Sequence, residues 1–418
     1  MLPSSPVPEI PASLRANAFS NPEDKCAYLK EELLTGKVPW PMVMGGMGTG
    51  FSGPAAVRAV TRFGGIGTLT AAASGFPLRL RPEKLAEGKE ERRLQFHEES
   101  RILLARQIAG IREEFPNEIV AANVMDILED SHGTVDAIIA SGGIDLVKIG
   151  AGLPRWAPER FAQADAKHVL YGVIVSSRTA AELVLRAAHK KGGRAPDFFY
   201  VELPQYAGGH LGQPKLEFVN DAQMHDPQRI RDEIRELTPD TPVLLGGGIG
   251  YRDQISRALG MGYQGVVMGT RCLLTQESGM PDETIRSKYL DPAVRTIEDA
   301  RSPTDYPARR LDTPLTSPTI ENMRAAMRYC VSCLKPGKCK YPETGMQEGG
   351  AYCIARDLAE TWEGRTDGVL FTGSQRDTML SDSLYHGQNG DRRVPTMEEA
   401  LTYAFTHDAP PGARGLPT

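Results

Sequence analysis

The chain has 418 residues, of which 40% are hydrophobic and 24% charged, enough for one domain of about 250 residues and a further module. With 48 Lys and Arg against 53 Asp and Glu, its net charge is -5, so no broad basic surface is available and nucleic acid is not an expected partner. Because no stretch reaches the ~18 apolar residues of a membrane helix and the start lacks a secretory pattern, we expect no membrane partner and a cytoplasmic location.

Eight short apolar runs, rich in strand-forming residues, recur along the chain with helical patterns between them. This order is typical of strand–helix units around a parallel sheet, and eight such units close a barrel. We therefore predict an α/β fold, a (β/α)8 TIM barrel; an open doubly wound sheet is the alternative, since counting strands does not show closure. The predicted strands are PMVMGG from Pro41, IGTLTA from Ile66, IVAANV from Ile119, LVKIG from Leu146, VLYGVIV from Val169, FFYVE from Phe198, PVLLGGG from Pro242 and GVVMGT from Gly265.

The strand–helix rhythm divides the chain into three parts. Residues 1–37 form a Pro-rich N-terminal extension expected to wrap the outside of the barrel, and residues 38–278 form the barrel itself. Residues 279–418 form a mostly helical C-terminal module with four cysteines, helical patterns at ENMRAAMRY and IARDLAETWEG, and an apolar run at GVLFTG. The segment SPTDYPARRLDTPLTSPT between barrel and module is predicted to be a Pro-rich connector rather than a packed element.

Glycines follow the first, seventh and eighth predicted strands. Gly247 and Gly248 follow VLL, and Gly269 and Thr270 follow VVM, at the end of a barrel where phosphate groups commonly bind. Glycine lets backbone N–H groups approach an anion, and the Thr hydroxyl adds a donor. Tight turns between strand and helix are the alternative reading. GGMGTG after the first strand lacks the spacing of a dinucleotide fingerprint and indicates a surface for a flat ring.

His210 follows the sixth strand in the segment VELPQYAGGHLGQ, where Gly208 and Gly209 allow a sharp bend into the barrel mouth. A neutral imidazole exchanges protons readily near neutral pH, so His210 is the candidate general base; a capping or core histidine is the alternative. Lys148 lies inside the buried strand LVKIG and needs a polar partner, either a cofactor or a salt bridge.

Together, PMVMGG, AGGHLG, LLGGGI and VMGTR resemble motifs of the nitronate monooxygenase family, also called 2-nitropropane dioxygenase-like. The resemblance covers roughly residues 41–278, with a weaker echo at GVLFTGSQ. Members are FMN-binding barrels and include quinone reductases and one type of enoyl-acyl carrier protein reductase.

The resemblance implies a set of roles for residues of this chain. His210 would abstract a proton from the substrate carbon or stabilise the bound anion. The family usually has Gln-Gly and Glu before Ala-Gly-Gly-His, whereas this chain has Leu203, Pro204 and Tyr206, which puts the substrate in doubt. The flavin-binding residues implied by the match, with the two glycines before His210, are Gly45, Gly46, Met47, Asn123, Lys148, Gly208, Gly209, Gly247, Gly248, Gly269 and Thr270.

Four cysteines, Cys330, Cys333, Cys339 and Cys353, form the pattern C-x2-C-x5-C-x13-C. Such a spacing can bring four thiolates around zinc or a 4Fe-4S cluster. Reduced cysteines without a metal are the alternative, and a disulfide is disfavoured in the cytoplasm. The sequence therefore predicts a candidate metal centre in the C-terminal module.

The leading functional hypothesis is an FMN-dependent oxidoreductase that oxidises a small activated carbon acid, such as an alkyl nitronate, with O2 as acceptor. The first alternative is an FMN enzyme that uses NAD(P)H to reduce a quinone or an enoyl thioester. The second is a non-redox phosphate-binding barrel enzyme, such as an isomerase or aldolase, and the last is a non-enzymatic scaffold. The expected partner is a small-molecule substrate, with NAD(P)H and a second copy of the chain, in a homodimer, as further candidates.

Overall fold

The computed structural model describes residues 21–48, 50–72, 74–75, 82–304, 306–315, 319–364 and 368–416, together with Phe19. All eight predicted strands are present, joined by parallel pairing in the order β1-β9-β8-β6-β5-β4-β3-β2. A parallel bridge between Val43 and Ile66 joins the two edges, so the sheet closes into the predicted (β/α)8 barrel. The strands are β1 (Val43–Met44), β2 (Gly67–Thr70), β3 (Val120–Met125), β4 (Leu146–Gly150), β5 (Leu170–Val175), β6 (Phe198–Glu202), β8 (Val243–Gly246) and β9 (Gly265–Met268).

A second, three-stranded antiparallel sheet lies beside the barrel mouth. Its strands are β7 (Gly209–His210), β10 (Thr296–Asp299) and β11 (Ala308–Leu311), in the order β10-β11-β7. β11 lies in the segment predicted to be an unpacked connector, and that prediction is wrong because all four residues of β11 are buried.

β11 was not predicted as a buried strand because it contains two arginines, which interrupt the apolar run expected of such a strand. Arg309 and Arg310 are buried because their guanidinium groups pair with Glu298 and Asp299 on β10, at 2.6 Å in each case. Buried charges need such partners, and here the partners come from the neighbouring strand. Residues 305 and 316–318 of the same segment lie outside the described residues.

Helices connect the strands and form the outer layer. The longest, Lys89–Glu114, is rich in charged residues, and among the described helices none combines the length and the apolar character needed to cross a membrane. Single turns of other helix types lie at Lys30–Leu34, Pro82–Lys84, Ala164–Ala166, Leu216–Phe218, Ile285–Tyr289 and Ser383–Tyr385. The α-helices are α1 (Pro22–Leu29), α2 (Pro54–Phe63), α3 (Lys89–Glu114), α4 (Ser131–Ser141), α5 (Ala157–Phe161), α6 (Arg178–Lys191), α7 (Pro227–Leu237), α8 (Arg252–Gly260), α9 (Thr270–Leu273), α10 (Asp282–Thr284), α11 (Ile320–Arg328), α12 (Tyr341–Thr344), α13 (Ile354–Trp362), α14 (Gln375–Met379) and α15 (Met397–Thr406).

The ends of the barrel helices follow from local residue chemistry. The Ser177 side chain accepts a hydrogen bond from the backbone N–H of Ala180 and begins α6, and Gly192 ends that helix in the left-handed conformation at φ 60. α2 begins with Pro54 and ends before Gly64, at φ 100. The helical patterns predicted from the sequence at α2, α6, α8, α11 and α13 are confirmed.

Alternation along the strands separates the barrel interior from the layer beneath the helices. Val147 and Ile149 pack in the large core shared with the helices, so Lys148 between them points into the barrel. The same alternation points Asn123 and Glu202 inward. Asn123, Lys148 and Glu202 therefore project into the barrel interior.

The N-terminal segment closes the opposite end of the barrel. Cys26, Leu29 and Leu33 pack in one cluster with interior residues of the barrel such as Leu146 and Phe198. The expectation that this segment wraps the outside is therefore wrong for its described part, whose apolar residues cover the floor of the barrel. Residues 1–18 and residue 20 lie outside the described residues.

Candidate active site

A cavity of about 450 Å³ opens at the carboxyl ends of the barrel strands, the position at which barrels of this type build their sites. Every residue predicted to bind the cofactor or to act in catalysis lines it, except Lys148. The predicted residues that line the cavity are Gly45, Gly46, Met47, Asn123, Gly208, Gly209, His210, Gly247, Gly248, Gly269 and Thr270.

The two glycine loops after β8 and β9 differ in their steric surroundings. Gly247 and Gly248 adopt φ 87 and φ 77, which side chains rarely tolerate. A Cβ on Gly248 would lie 2.7 Å from Cβ of Tyr206, whereas a Cβ on Gly269 would meet no atom within 4 Å. The loop at Gly269 therefore faces open space and can accept an anionic group at its backbone.

A third segment, which contains Gly373 and Gln375, contacts these loops. The only indication of it in the sequence is the weak family resemblance at GVLFTGSQ. The backbone N–H of Gly373 donates to Thr270 Oγ1 at 3.0 Å, and Gln375 Nε2 donates to the carbonyl of Gly248 at 2.8 Å. Thr372, Gly373 and Gln375 also line the cavity. The C-terminal part of the chain thus lines the same part of the cavity as the two barrel loops.

The glycines after β1 lie against other parts of the site. A Cβ on Gly46 would lie 2.2 Å from Cγ of Asn123, and a Cβ on Gly45 would lie 3.1 Å from Cα of Gly269. A side chain at Gly46 would require Asn123 to move, and one at Gly45 would press against the backbone of Gly269. The absence of side chains at these two positions leaves a flat stretch of backbone beside Asn123.

His210 lies in β7, which pairs with β11 so that His210 is opposite Ala308. Gly209 takes φ 68, and a Cβ on Gly208 would come within 2.6 Å of the Thr372 backbone, so both glycines before the histidine are required by the structure. The imidazole ring lies 5.7 Å from the Phe371 ring, centroid to centroid. β7 therefore fixes the histidine in the mouth of the cavity.

A short chain of hydroxyl groups contacts the histidine ring. Nε2 of His210 lies 2.9 Å from Oγ of Ser302, and that oxygen lies 2.9 Å from Oγ1 of Thr304. Ser302 and Thr304 are buried. Sequence reasoning missed both, because they lie in the segment predicted to be a connector.

Burial controls the charge of the histidine. It lowers the pKa of His210 to about 4, because the imidazolium form loses solvation in the cavity. The ring is therefore neutral at physiological pH and has a lone pair available. Its hydrogen bond to Ser302 can set which ring nitrogen carries the proton.

Lys148 lies beneath the cavity, where polar groups of two neighbouring strands contact its ammonium group. Its Nζ donates to the carbonyl of Met44 at 2.7 Å and to Oγ1 of Thr68 at 3.0 Å. Burial lowers its pKa to about 7, an effect that the charge of Glu202 opposes. The ammonium group therefore joins β1, β2 and β4 inside the barrel.

Glu202, a residue that the sequence reasoning did not select, lines the cavity at the end of β6. Tyr200 Oη donates to its Oε1 at 3.2 Å. Burial raises the pKa of Glu202 to about 7, and the Tyr200 hydrogen bond and Lys148 oppose the shift. A carboxyl group that titrates near neutrality in a cleft is a candidate for proton exchange.

The C-terminal module covers one side of the cavity. An antiparallel bridge pairs Leu128, after β3, with Leu334, and the N–H of Lys335 donates to the carbonyl of Ile127 at 3.0 Å. The Lys335 ammonium group pairs with Asp126 at 2.8 Å. Residues 330–335 are thereby fixed to the loop that follows β3.

The predicted metal centre lacks support in the structure. Cys330, Cys333 and Cys353 are half-buried and Cys339 is exposed. Within the described ranges, no group of three or more His, Cys, Asp or Glu side chains is arranged to hold a metal ion. Cys333 and Cys353 instead pack against an apolar cluster of the module.

Comparison with known proteins gives a family match over most of the chain. Residues 31–383 match the family model described as nitronate monooxygenase. Rv1533 of Mycobacterium tuberculosis, provisionally described as a monooxygenase, is 37% identical over 110 residues, which are 26% of this chain and 26% of that protein. An octahydro-indene carboxyl-CoA dehydrogenase of Rhodococcus jostii is 38% identical over 78 residues, 19% of this chain and 22% of that protein. The chain thus aligns with about a quarter of each curated relative.

Two solved structures share the fold over nearly the whole chain. Nitroalkane oxidase from Streptomyces ansochromogenes has a TM-score of 0.59 and 20% identity, and the match covers 90% of this chain and 97% of that one. FabK from Thermotoga maritima has a TM-score of 0.56 and 18% identity, with 89% and 93% covered. At these identities the likeness shows the barrel fold.

Proposed function

The chain belongs to the nitronate monooxygenase family, and from that membership we propose that it is an FMN-dependent oxidoreductase that oxidises an activated carbon acid, such as an alkyl nitronate, with O2 as acceptor. The observation that carries the proposal is the neutral His210, fixed by β7 and by Ser302 in a cavity that also contains two glycine loops. A base beside a phosphate-sized recess is the arrangement that such chemistry needs.

The residues that line the cavity suit FMN in three places. The loops at Gly247, Gly248 and Gly269 offer backbone N–H groups and open space for a phosphate. Gly45 and Gly46 leave a flat backbone surface for the isoalloxazine ring, with Asn123 beside it. When bound, the flavin supplies a two-electron acceptor that O2 can reoxidise.

His210 acts on the substrate in this proposal. Because the ring is neutral at physiological pH, it can accept a proton from an acidic C–H bond or donate a hydrogen bond to an anion already formed. In the tautomer in which Nε2 carries the proton, Nε2 donates to Ser302 and Nδ1 is the basic atom. A low pKa makes the ring a weak base, so the proposal requires a substrate with an acidic carbon.

The second candidate is an FMN enzyme that takes electrons from NAD(P)H and reduces a quinone or an enoyl thioester. The apolar side of the cavity, formed by residues such as Leu334 and Leu358, favours it because both acceptors carry hydrophobic groups. In that reaction His210 would exchange a proton with the acceptor.

One purification decides between these readings. The protein is purified without oxygen, its absorption spectrum is recorded, and FMN, iron and zinc are quantified on the same sample. A flavin spectrum bleached by an alkyl nitronate and not by NAD(P)H supports the first candidate, and the reverse supports the second. A protein that stays colourless after incubation with FMN overturns both, and iron with the flavin would revive a metal centre at Cys330 and its neighbours.

The substitution His210→Asn tests whether the histidine carries out the proton transfer. His210→Asn replaces the ring by a smaller polar amide and removes the base, so the flavin spectrum should persist while bleaching by the neutral nitroalkane, which must first lose a proton, slows. The matched control is His189→Asn, on the C-terminal turn of α6 and outside the cavity lining. Equal rates in both variants would contradict the role of His210.

A further inference from the structure

One side of the cavity is apolar and comes from two distant parts of the sequence. Leucine and isoleucine side chains of the C-terminal module meet the loop after β3, and all of them belong to one buried cluster. We call this surface the apolar wall. It consists of Ile127, Leu128, Leu334, Ile354, Leu358 and Phe371, each of which also lines the cavity.

The barrel topology places the part of the apolar wall that follows β3, Ile127 and Leu128, across the mouth from the glycine loops after β8 and β9. Around the closed barrel the strands follow one another as β1, β2, β3, β4, β5, β6, β8 and β9. The loop of Ile127 and Leu128 follows β3, and the loop of Gly247 and Gly248 follows β8, four positions away in a ring of eight. A ligand whose phosphate binds at β8 and β9 therefore leaves the wall at β3 to a different chemical group.

The charges of the cavity lining restrict what that group can be. Among the described residues that line the cavity there is no Lys or Arg, and the only carboxylate is Glu202. The nearest module cation, Lys335, is paired with Asp126, which also accepts from Trp156 Nε1 at 2.6 Å. An anionic substrate group at the wall would lose its hydration without gaining a counter-ion.

We propose that the apolar wall is a substrate subsite that binds an uncharged hydrocarbon group, larger than the alkyl chain of a small nitroalkane. The proposal rests on the proposed function for the reacting end of the substrate, which would lie at His210. The free energy of binding such a group should depend on the apolar surface that it buries against these six side chains. Affinity should therefore rise with every carbon added to the group.

The test is a titration by isothermal calorimetry of the FMN-reconstituted protein with 2-butanone, 2-hexanone, 2-octanone and 2-decanone. The dissociation constant should fall about fourfold for each methylene added, as expected for hydrocarbon entering an apolar site. Octanoate should bind at least about tenfold more weakly than 2-octanone, since the lining offers no cation. Affinity that does not depend on chain length, or octanoate that binds as well as 2-octanone, overturns the proposal.

Two substitutions locate the effect. Leu334→Gln and Ile127→Thr should each weaken 2-octanone binding about tenfold and leave 2-butanone within about twofold, because only the longer chain reaches the wall. Ile127→Thr replaces an ethyl branch by a hydroxyl at a half-buried position, where the hydroxyl can stay hydrated, so it keeps the test available if Leu334→Gln does not fold. The matched control, Ile102→Thr on the exposed face of α3, should leave both affinities unchanged. Equal losses in the control would refute the location.

Failure of this proposal and failure of the proposed function give different results. Ketone binding is measured as heat and needs no turnover. A protein that binds FMN and shows the chain-length series but oxidises neither nitroalkane nor nitronate refutes the proposed function and keeps the subsite. A protein that binds FMN and oxidises nitronate but shows no chain-length series refutes only the subsite.

Discussion

Replacing Asp382 by Asn tests the most deeply buried ion pair near the glycine loops. Arg271 follows the loop of Gly269 and Thr270, and its side chain is 0% exposed against 3% for Asp382. Nη1 of Arg271 lies 2.7 Å from Oδ2 of Asp382, and Nη2 donates to the carbonyl of Gly250 at 3.1 Å. The substitution Asp382→Asn keeps the shape and removes the charge, so a buried guanidinium group loses its counter-ion.

The expected cost follows from this geometry. Removing one partner of a buried pair costs about 3–5 kcal/mol. The lower end applies here, because an amide oxygen can still accept from Tyr251 Oη, now 2.9 Å from Oδ1 of Asp382, and because the guanidinium group lies 4.9 Å from the centre of the Tyr251 ring. We expect the free energy of unfolding to fall by about 3 kcal/mol, a change of about a hundredfold in the folding equilibrium.

The control is an ion pair of the same chemistry at the surface. Arg252 and Asp408 make two contacts, at 2.9 and 2.6 Å, with side chains that are 50% and 51% exposed. Asp408→Asn should cost less than about 1 kcal/mol, since solvent screens the exposed pair. Urea titrations followed by circular dichroism compare the two variants with the wild type.

Cofactor affinity gives a second measurement of the same change. Because Arg271 anchors the Gly250 carbonyl next to the phosphate loop, Asp382→Asn should weaken FMN binding about tenfold, and Asp408→Asn should leave it unchanged. Quenching of flavin fluorescence measures both dissociation constants. Equal stability losses in the two variants would refute the argument from burial, and unchanged FMN affinity in Asp382→Asn would refute the link to the loop.

Three further predictions follow from the site. His210→Asn should lower kcat/KM for oxidation of a neutral nitroalkane by about 10²–10⁴-fold with the flavin retained, and a stopped-flow rate within threefold of wild type would contradict this. Ser302→Ala should lower kcat about fivefold with little change in KM, through loss of one hydrogen bond to His210, and Ser302→Thr should restore most of the rate; steady-state kinetics test both. The pKa of Glu202 is 4.5 in the unfolded chain and about 7 in the folded protein, so between these pH values only the folded protein keeps the proton. The contribution of Glu202 to stability is therefore fully present below pH 4.5 and is lost as pH rises to about 7. Unfolding titrations at several pH values should show a smaller fall in stability over this range for Glu202→Gln, and an unaltered pH dependence would show that the group does not titrate there.

The barrel could be predicted from the sequence because each of its strands is a run of apolar residues. Each buried parallel strand reads as a short hydrophobic run, and glycines mark the strand ends where a side chain would collide, as at Gly46 and Gly248. His210 could be selected because two such glycines precede it. Hydrophobic runs and glycines at strand ends are local features of the sequence, so they can be recognised without knowledge of the fold.

What the sequence did not predict depends on pairing between distant residues. Ser302 lies 92 positions from His210, and nothing in its surroundings in the chain indicates that contact. β11 carries two arginines whose burial is explained only by the acids on β10. Glu202 reads as the polar end of a strand, and only its burial with Tyr200 makes it a titrating group.

The predicted boundary at residue 278 separates parts of the chain that the structure joins at the site. Gly373 contacts the phosphate loop through Thr270, Ser302 contacts His210, and Leu334 closes the cavity over β3. Each of these contacts comes from beyond the boundary and reaches a different barrel loop. Because binding residues on connecting segments can change while the scaffold stays the same, substitutions in these C-terminal segments could alter the substrate without altering the barrel. The departure from the family pattern at Leu203, Pro204 and Tyr206 adjoins one of these segments, since the backbone carbonyl of Tyr206 accepts from the backbone N–H of Ser374 at 3.1 Å.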